Sequence, residues 1–216
     1  MKLRIRQLSI TKHQQLIFTN FSYNFEFGHI HAIVGNNGTG KTMLLNALTG
    51  EEPIETEKIF IDSQERKTDS IAYAQQRSFQ YNHMTGNDYL HFLGYYNSND
   101  IETINAHLKL PLDKATDTYS QGMIRKLHLL GVLASNKPIL VFDDPFASID
   151  DKTKIYLKLK LRELISEGRL ILVAVQEEKE AVTFADYIHH LENGHFKTSY
   201  PGRNDMEETE DVLVSR

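Results

Sequence analysis

One run of eight residues, Gly35-Asn36-Asn37-Gly38-Thr39-Gly40-Lys41-Thr42, fits the pattern G-x-x-x-x-G-K-[ST] at every fixed position. Each residue type in it has a physical reason. Glycines let backbone N–H groups turn inward and come close to phosphate oxygens. A helix starting near Lys41 adds the positive end of its dipole at the same place. The Lys41 ammonium can then reach β and γ phosphates, and the Thr42 hydroxyl can coordinate Mg²⁺. The run predicts a nucleoside triphosphate site. Phosphate chemistry with Mg²⁺ also needs an aspartate at the end of a buried strand close by. Ile139-Leu140-Val141-Phe142-Asp143-Asp144 supplies it. Asp143 is the candidate metal-side carboxylate. Asp144, one residue on, is expected to point to the other side, where it could orient an attacking water.

These groups need a scaffold, and the flanking sequence predicts one. Leu3–Ile10 reads largely with period 2, as do Phe21, Tyr23, Phe25 and Phe27 before Gly28. Both are marks of half-buried strands. His29–Val34 predicts a third strand leading into the glycine loop, and Lys41–Leu48 carries good helix formers up to Gly50. Strand, glycine loop and helix make the first half of a βαβ unit. Pro138–Phe142 and Arg169–Val175 are continuous apolar runs, which suit parallel strands covered on both faces. Between them Asp151–Glu167 predicts a helix, with Gly168 placed as its C-terminal cap. Residues 81–134 differ in character. Helical stretches at Asp88–Tyr96, Ile101–Leu108 and Met123–Leu133 are joined by polar turns and read as an insertion in an α/β core.

Composition removes whole classes of function. The chain has 216 residues and no cysteine, which excludes disulfide scaffolds, cysteine zinc sites and thiol nucleophiles. Twenty-four Lys and Arg against 29 Asp and Glu give a net charge of −5, which argues against a nucleic-acid binder. The longest apolar runs are far shorter than the roughly 20 residues a membrane span needs. Met1–Arg6 alternates charge with hydrophobe and shows no signal-peptide core. The expectation is a soluble, cytoplasmic chain. Of the ten histidines, His29 with His31 and His189 with His190 are close in sequence, but neither pair has a metal-ligand spacing. Tyr81, Tyr89, Phe92, Tyr95 and Tyr96 form an aromatic-rich group that reads equally as core packing or as a docking groove.

Gly35–Thr42, Asp143–Asp150 and Tyr119-Ser120-Gln121-Gly122-Met123, taken together, resemble the ATP-binding subunits of ABC transporters. The resemblance runs from the N-terminal strands to Gly194. It implies an α/β fold with a P-loop NTPase core, an antiparallel β region and an inserted helical subdomain, with residues 1–202 as one ATPase domain and 203–216 as an acidic tail. It implies ATP and Mg²⁺ as ligands, and Ser120, Gln121, Gly122 and Met123 as a signature loop touching nucleotide held by a second protomer. Gln76 aligns with the glutamine that touches Mg²⁺ and the membrane partner, with Gln75 one position off. Asp150 takes the place of a dimer-interface aspartate. The implied partners are a transmembrane permease subunit and a second ATPase subunit, identical or homologous, which would hold the chain on the inner face of the cell membrane. The Tyr-Ser-x-Gly-Met version is similar to that of two-component exporters and implies export.

Three departures bear on the chemistry. Asp144 stands where the family usually has Glu, one methylene longer, and a misplacement of about 1 Å can cost roughly a hundredfold in rate. Gln176 stands where a His normally contacts the γ-phosphate; it donates a hydrogen bond but carries no charge. Thr11-Lys12-His13-Gln14-Gln15 lacks the aromatic that often stacks on adenine, leaving His13 as the substitute. The expected function is a slow ATPase using Lys41, Asp144 and Gln176 to drive an exporter. The alternatives are a degenerate nucleotide clamp that supports an active partner, or a soluble assembly ATPase.

Overall fold

The computed structural model describes residues 1–12, 14–52, 59–62, 64–65, 68–76, 83–94 and 98–202. Two sheets and six helices account for them. β1 (Lys2–Lys12), β2 (Gln15–Glu26), β4 (Ile59–Ile61) and β5 (Gln64–Glu65) make an antiparallel sheet in the order β2-β1-β4-β5. The second sheet runs β10-β9-β3-β8-β7-β6. Its strands are β3 (Ile30–Val34), β6 (Ile71–Ala74), β7 (Ile139–Asp143), β8 (Leu170–Val175), β9 (Tyr187–Glu192) and β10 (His195–Pro201). All its neighbours pair in parallel except β9 and β10.

The predicted parallel core is present, and side-chain alternation divides it into two layers. Leu140, Phe142, Ile171, Val173 and Val175 face one apolar cluster, which continues without a break into Tyr89, Leu90, Ile101, Ile104 and Leu108 of the inserted helices. Ile139, Val141, Leu170, Leu172 and Ala174 face a second, shared with α1 (Lys41–Thr49) and the antiparallel sheet. The inserted helices α2 (Gly86–Phe92), α3 (Ser98–Leu108) and α4 (Gln121–Leu133) therefore share the core rather than forming one of their own. α5 (Asp151–Ser166) lies on that side through Leu157, Leu161 and Leu164. At about 1.5–3 kcal/mol per fully buried leucine, this face holds α5 in place more than helix propensity does. α6 (Glu178–Val182) is a short turn of helix before β9.

Some boundaries differ from the expectations. β2 begins at Gln15 rather than near Phe21, because β1 pairs with it all the way to the hairpin at Lys12↔Gln15. α2 starts two residues early, where Thr85 and Asp88 form a capping box, and it ends at Phe92 rather than Tyr96. Tyr89 of the aromatic group is buried with its hydroxyl 2.8 Å from His128 Nε2, whereas Phe92 is 60% exposed. Tyr81, Tyr95, Tyr96, His13 and the acidic tail lie outside the described residues. β4, β5, β9 and β10 have no clear period in the sequence. In β9 the expected apolar signal is interrupted by His189, which is buried all the same. Its Nε2 lies 3.0 Å from Nδ1 of His31 on β3, in a stack running Tyr187–His31–His189–Phe196. Burial lowers the pKa of His31 to about 4 and that of His189 to about 3, which keeps both neutral.

Candidate functional site

Four adjacent parallel strands deliver the candidate groups from their C-terminal ends. β3 runs into the glycine loop, β8 into Gln176, β7 into Asp143 and Asp144, and β6 into Gln75 and Gln76. Carboxyl ends of parallel strands are where α/β folds place their ligand crevices. A cleft of about 350 Å³ opens here, walled by Lys12, Asn37, Lys41, Thr42, Gln76 and Asp144 among others.

The glycine loop is shaped by local contacts. Thr39 donates to the Asn36 carbonyl at 3.0 Å, closing the turn. Gly40 caps α1 at φ 101°, a backbone angle that favours glycine. Gly35 has a different reason to lack a side chain: a Cβ there would lie 2.8 Å from the Leu191 carbonyl oxygen. Lys41 is buried and folds back on the loop, donating to the Gly35 carbonyl at 2.6 Å and the Asn36 carbonyl at 3.0 Å. Burial lowers its pKa, against the opposing pull of Asp143 and Asp144. An ammonium held by two loop carbonyls can exchange them for phosphate oxygens, a charge-assisted and stronger pairing.

Thr42 Oγ1 donates to Asp143 Oδ2 at 2.6 Å, although 101 residues separate them. Asp143 is 2% exposed, and burial raises its pKa against the hydrogen bond from Thr42 and the charges of Arg125 and Lys41. A desolvated carboxylate beside a hydroxyl oxygen is a hard, all-oxygen donor pair. It fits Mg²⁺, which is held through one or two protein oxygens together with substrate phosphates.

Asp144 sits in the left-handed region at φ 52°, and its N–H donates to the Ala174 carbonyl at 2.9 Å. Its Oδ2 accepts from Gln176 Nε2 at 3.0 Å and from Gln76 Nε2 at 3.5 Å. Aspartate tolerates this backbone conformation better than most residues. The shorter acid is thus compatible with the turn that presents it. The side-chain amide of Gln76 reaches the site, while Gln75 is not among the cleft walls and its carbonyl accepts from Arg125.

Ser120, Gln121, Gly122, Met123 and Asp150 lie outside the cleft walls of their own chain. Ser120 caps α4, accepting from Met123 N–H at 3.2 Å. A Cβ on Gly122 would come within 3.0 Å of the Ser148 carbonyl oxygen. Asp150 caps α5 and pairs with Lys126 at 2.5 Å; that partner and then Thr153 hold its carboxyl well below the usual range.

Sequence reasoning missed four residues here. Lys12 and Met43 form part of the cleft wall. Arg125 and Lys126, one turn into α4, tie that helix to the site segments. The available signal was a pair of cations set between Ile124 and Leu127 in a helix buried along most of its length.

A family model described as "ABC transporter" matches residues 18–147. The ribose import ATP-binding protein RbsA of Streptococcus agalactiae serotype Ia is 26% identical over 215 residues, covering 90% of this chain and 44% of that protein. The chain therefore spans less than half the length of this relative. An ATP-binding subunit of an ABC transporter superposes with a TM-score of 0.84 at 18% identity, covering 99% of this chain and 94% of the other. A dimeric ATP-binding cassette in a post-hydrolysis state, bound to ADP and Pi, superposes with a TM-score of 0.80 at 18% identity, covering 94% and 99%. At these identities both likenesses bear on the fold alone. Among the described residues no helix is long and apolar enough to cross a membrane.

Proposed function

The chain belongs to the ABC transporter family, and from that premise we propose that it binds and hydrolyses Mg·ATP in the cleft at the ends of β3, β6, β7 and β8. The observation that carries this reading is the convergence of Lys41, the Thr42–Asp143 pair and the Gln76–Asp144–Gln176 cluster on one crevice. Gly35 to Thr42 cradle the phosphates through backbone N–H groups, and Lys41 leaves its loop carbonyls for the β and γ oxygens. Thr42, Asp143 and Gln76 would hold Mg²⁺, which would supply neutralisation of charge on the phosphate oxygens. Asp144 orients the attacking water, its carboxylate aimed by the two glutamine amides. Gln176 also offers a neutral donor to the γ-phosphate.

Ser120, Gln121, Gly122, Met123 and Asp150 complete the site of a second protomer, identical or homologous, in a head-to-tail pair. The position of these residues outside their own cleft supports that reading. The pair would work on the inner membrane face with a transmembrane permease subunit. Residues 1–202 act as one ATPase domain, with 81–134 as its inserted helical part. The expectation of export rests on Tyr119–Met123 alone and gains no support from a relative named for ribose import.

Phosphate release by the purified protein, with and without its permease, tests the reading against Asp144→Asn and Lys41→Ala. Asp144→Asn is expected to bind ATP like wild type and to turn over about 10²–10⁴-fold more slowly. Lys41→Ala is expected to lose binding. Equal rates for wild type and Asp144→Asn would reject hydrolysis at this site and leave a nucleotide clamp.

A further inference from the structure

Arg125 is 6% exposed and sits one turn into α4, outside the cleft walls. A guanidinium presents four terminal N–H groups in a flat fork. Here each has its own carbonyl. Nη1 donates to the carbonyls of Gln75 and Gln76, both at 2.8 Å. Nη2 donates to the carbonyls of Asp143, at 2.5 Å, and of Asp144. Nε has no hydrogen-bond partner among the described residues. The acceptors lie where the sheet stops: the β6–β7 ladder ends at Ala74↔Phe142, and β6 is the edge strand. Past that point Arg125 takes over the role of the ladder, holding two strand ends side by side. One of those ends is the left-handed turn that presents Asp144, and the other carries the Gln76 amide that reaches Asp144.

We propose that Arg125 is a positioning residue: its planar fork locks the Gln76 and Asp144 turns to α4, and so sets the catalytic carboxylate. Because Ser120 caps α4, the same contact makes the placement of Asp144 follow the signature helix. Burial lowers the Arg125 pKa against the pull of Asp144 and Asp143, so the nearby carboxylates favour its charged form. Lysine would keep the charge but lose the fork. Nucleotide affinity, by contrast, rests on Lys41 and the glycine loop, which Arg125 does not touch.

This inference rests on the proposed hydrolysis, and its test separates the two. Arg125→Lys and Arg125→Gln are compared with wild type by Mg·ATP titration calorimetry, phosphate release at saturating ATP, and backbone hydrogen exchange of the full chain. Both variants are expected to bind ATP within about threefold of wild type and to lose about a hundredfold in turnover, the scale of a displacement of about 1 Å. Exchange is expected to rise at the amides of Gln75, Gln76, Asp144 and Phe146 while α1 stays protected. Wild-type turnover in Arg125→Lys would overturn the proposal, because charge alone would then suffice. Affinity falling as far as turnover would overturn it too, as would exchange rising equally in α1. If wild type shows no hydrolysis that depends on Asp144, the proposed function fails, and the exchange contrast still decides the role of Arg125.

Discussion

Replacing Gly40 by alanine probes the glycine loop where backbone and packing act together. Gly40 sits at φ 101° and ψ 8°, a conformation that costs a residue with a Cβ about 1–2 kcal/mol. The added methyl would also lie 3.1 Å from Ile17 Cγ2 and 3.1–3.2 Å from Phe18 Cε2 and Cζ. Phe18 cannot easily give way: it is fully buried and braced edge-on by Phe21 at 5.4 Å between ring centres. Overpacking of that kind costs about 1–3 kcal/mol. The two terms together predict a loss of about 2–5 kcal/mol in the nucleotide-free chain. At roughly 2–4 °C per kcal/mol for a chain of this size, the melting temperature falls by about 4–20 °C. Gly38→Ala is the control. Gly38 also has a positive φ, 83°, but nothing lies within 4 Å of its Cβ position, so only the backbone term of about 1–2 kcal/mol applies. Urea unfolding at constant slope measures both variants. Phe18→Leu in the Gly40→Ala background should recover part of the excess, because the pair shares one contact. Equal losses for Gly38→Ala and Gly40→Ala, or no coupling to Phe18, would refute the steric argument.

Two further outcomes follow from the buried charges and histidines. Asp143 is penalised by burial, so Asp143→Asn should melt no lower than wild type while losing the part of its ATP affinity that depends on Mg²⁺; calorimetry with and without EDTA reads it, and a large destabilisation would contradict the burial argument. His31 and His189 have folded pKa values of about 4 and about 3 against 6.5 for the free side chain, so the unfolded chain binds more protons below pH 6.5. Stability is therefore fully present above pH 6.5 and drains away as the pH falls toward 4, by about 2 kcal/mol per histidine between pH 7 and pH 5. Urea midpoints across that range test it, and a His189→Phe chain that loses as much as wild type would exclude the histidine pair as the cause.

Most of the parallel core was legible because its signals are local. β7 and β8 show as unbroken apolar runs since they are covered on both faces, and α5 shows its apolar positions and terminal glycine between Asp151 and Gly168. β9 and β10 were not legible. Histidine reads as a surface residue until His31 is known to sit 3.0 Å from His189. The start of β2 was hidden in the same way, because Gln15 to Asn20 become strand through pairing with β1 rather than through a hydrophobic period of their own.

The sequence by itself determined the chemistry of the proposed nucleotide site. The eight residues from Gly35 to Thr42 and the acids Asp143 and Asp144 are contiguous, and each run carries its own physical reason. Tertiary structure decided how those groups are aimed. The order β3-β8-β7-β6 brings Gln176, Asp144 and Gln76 into one hydrogen-bonded cluster, though 32 and 68 residues separate the two glutamines from the aspartate. It also turned Arg125, unremarked in the sequence, into the group that joins two strand ends beyond their last ladder pair. Residue type is a local property, readable along the chain. The acceptors of a buried side chain are set by the strand order and the close packing around it, and no local pattern encodes them.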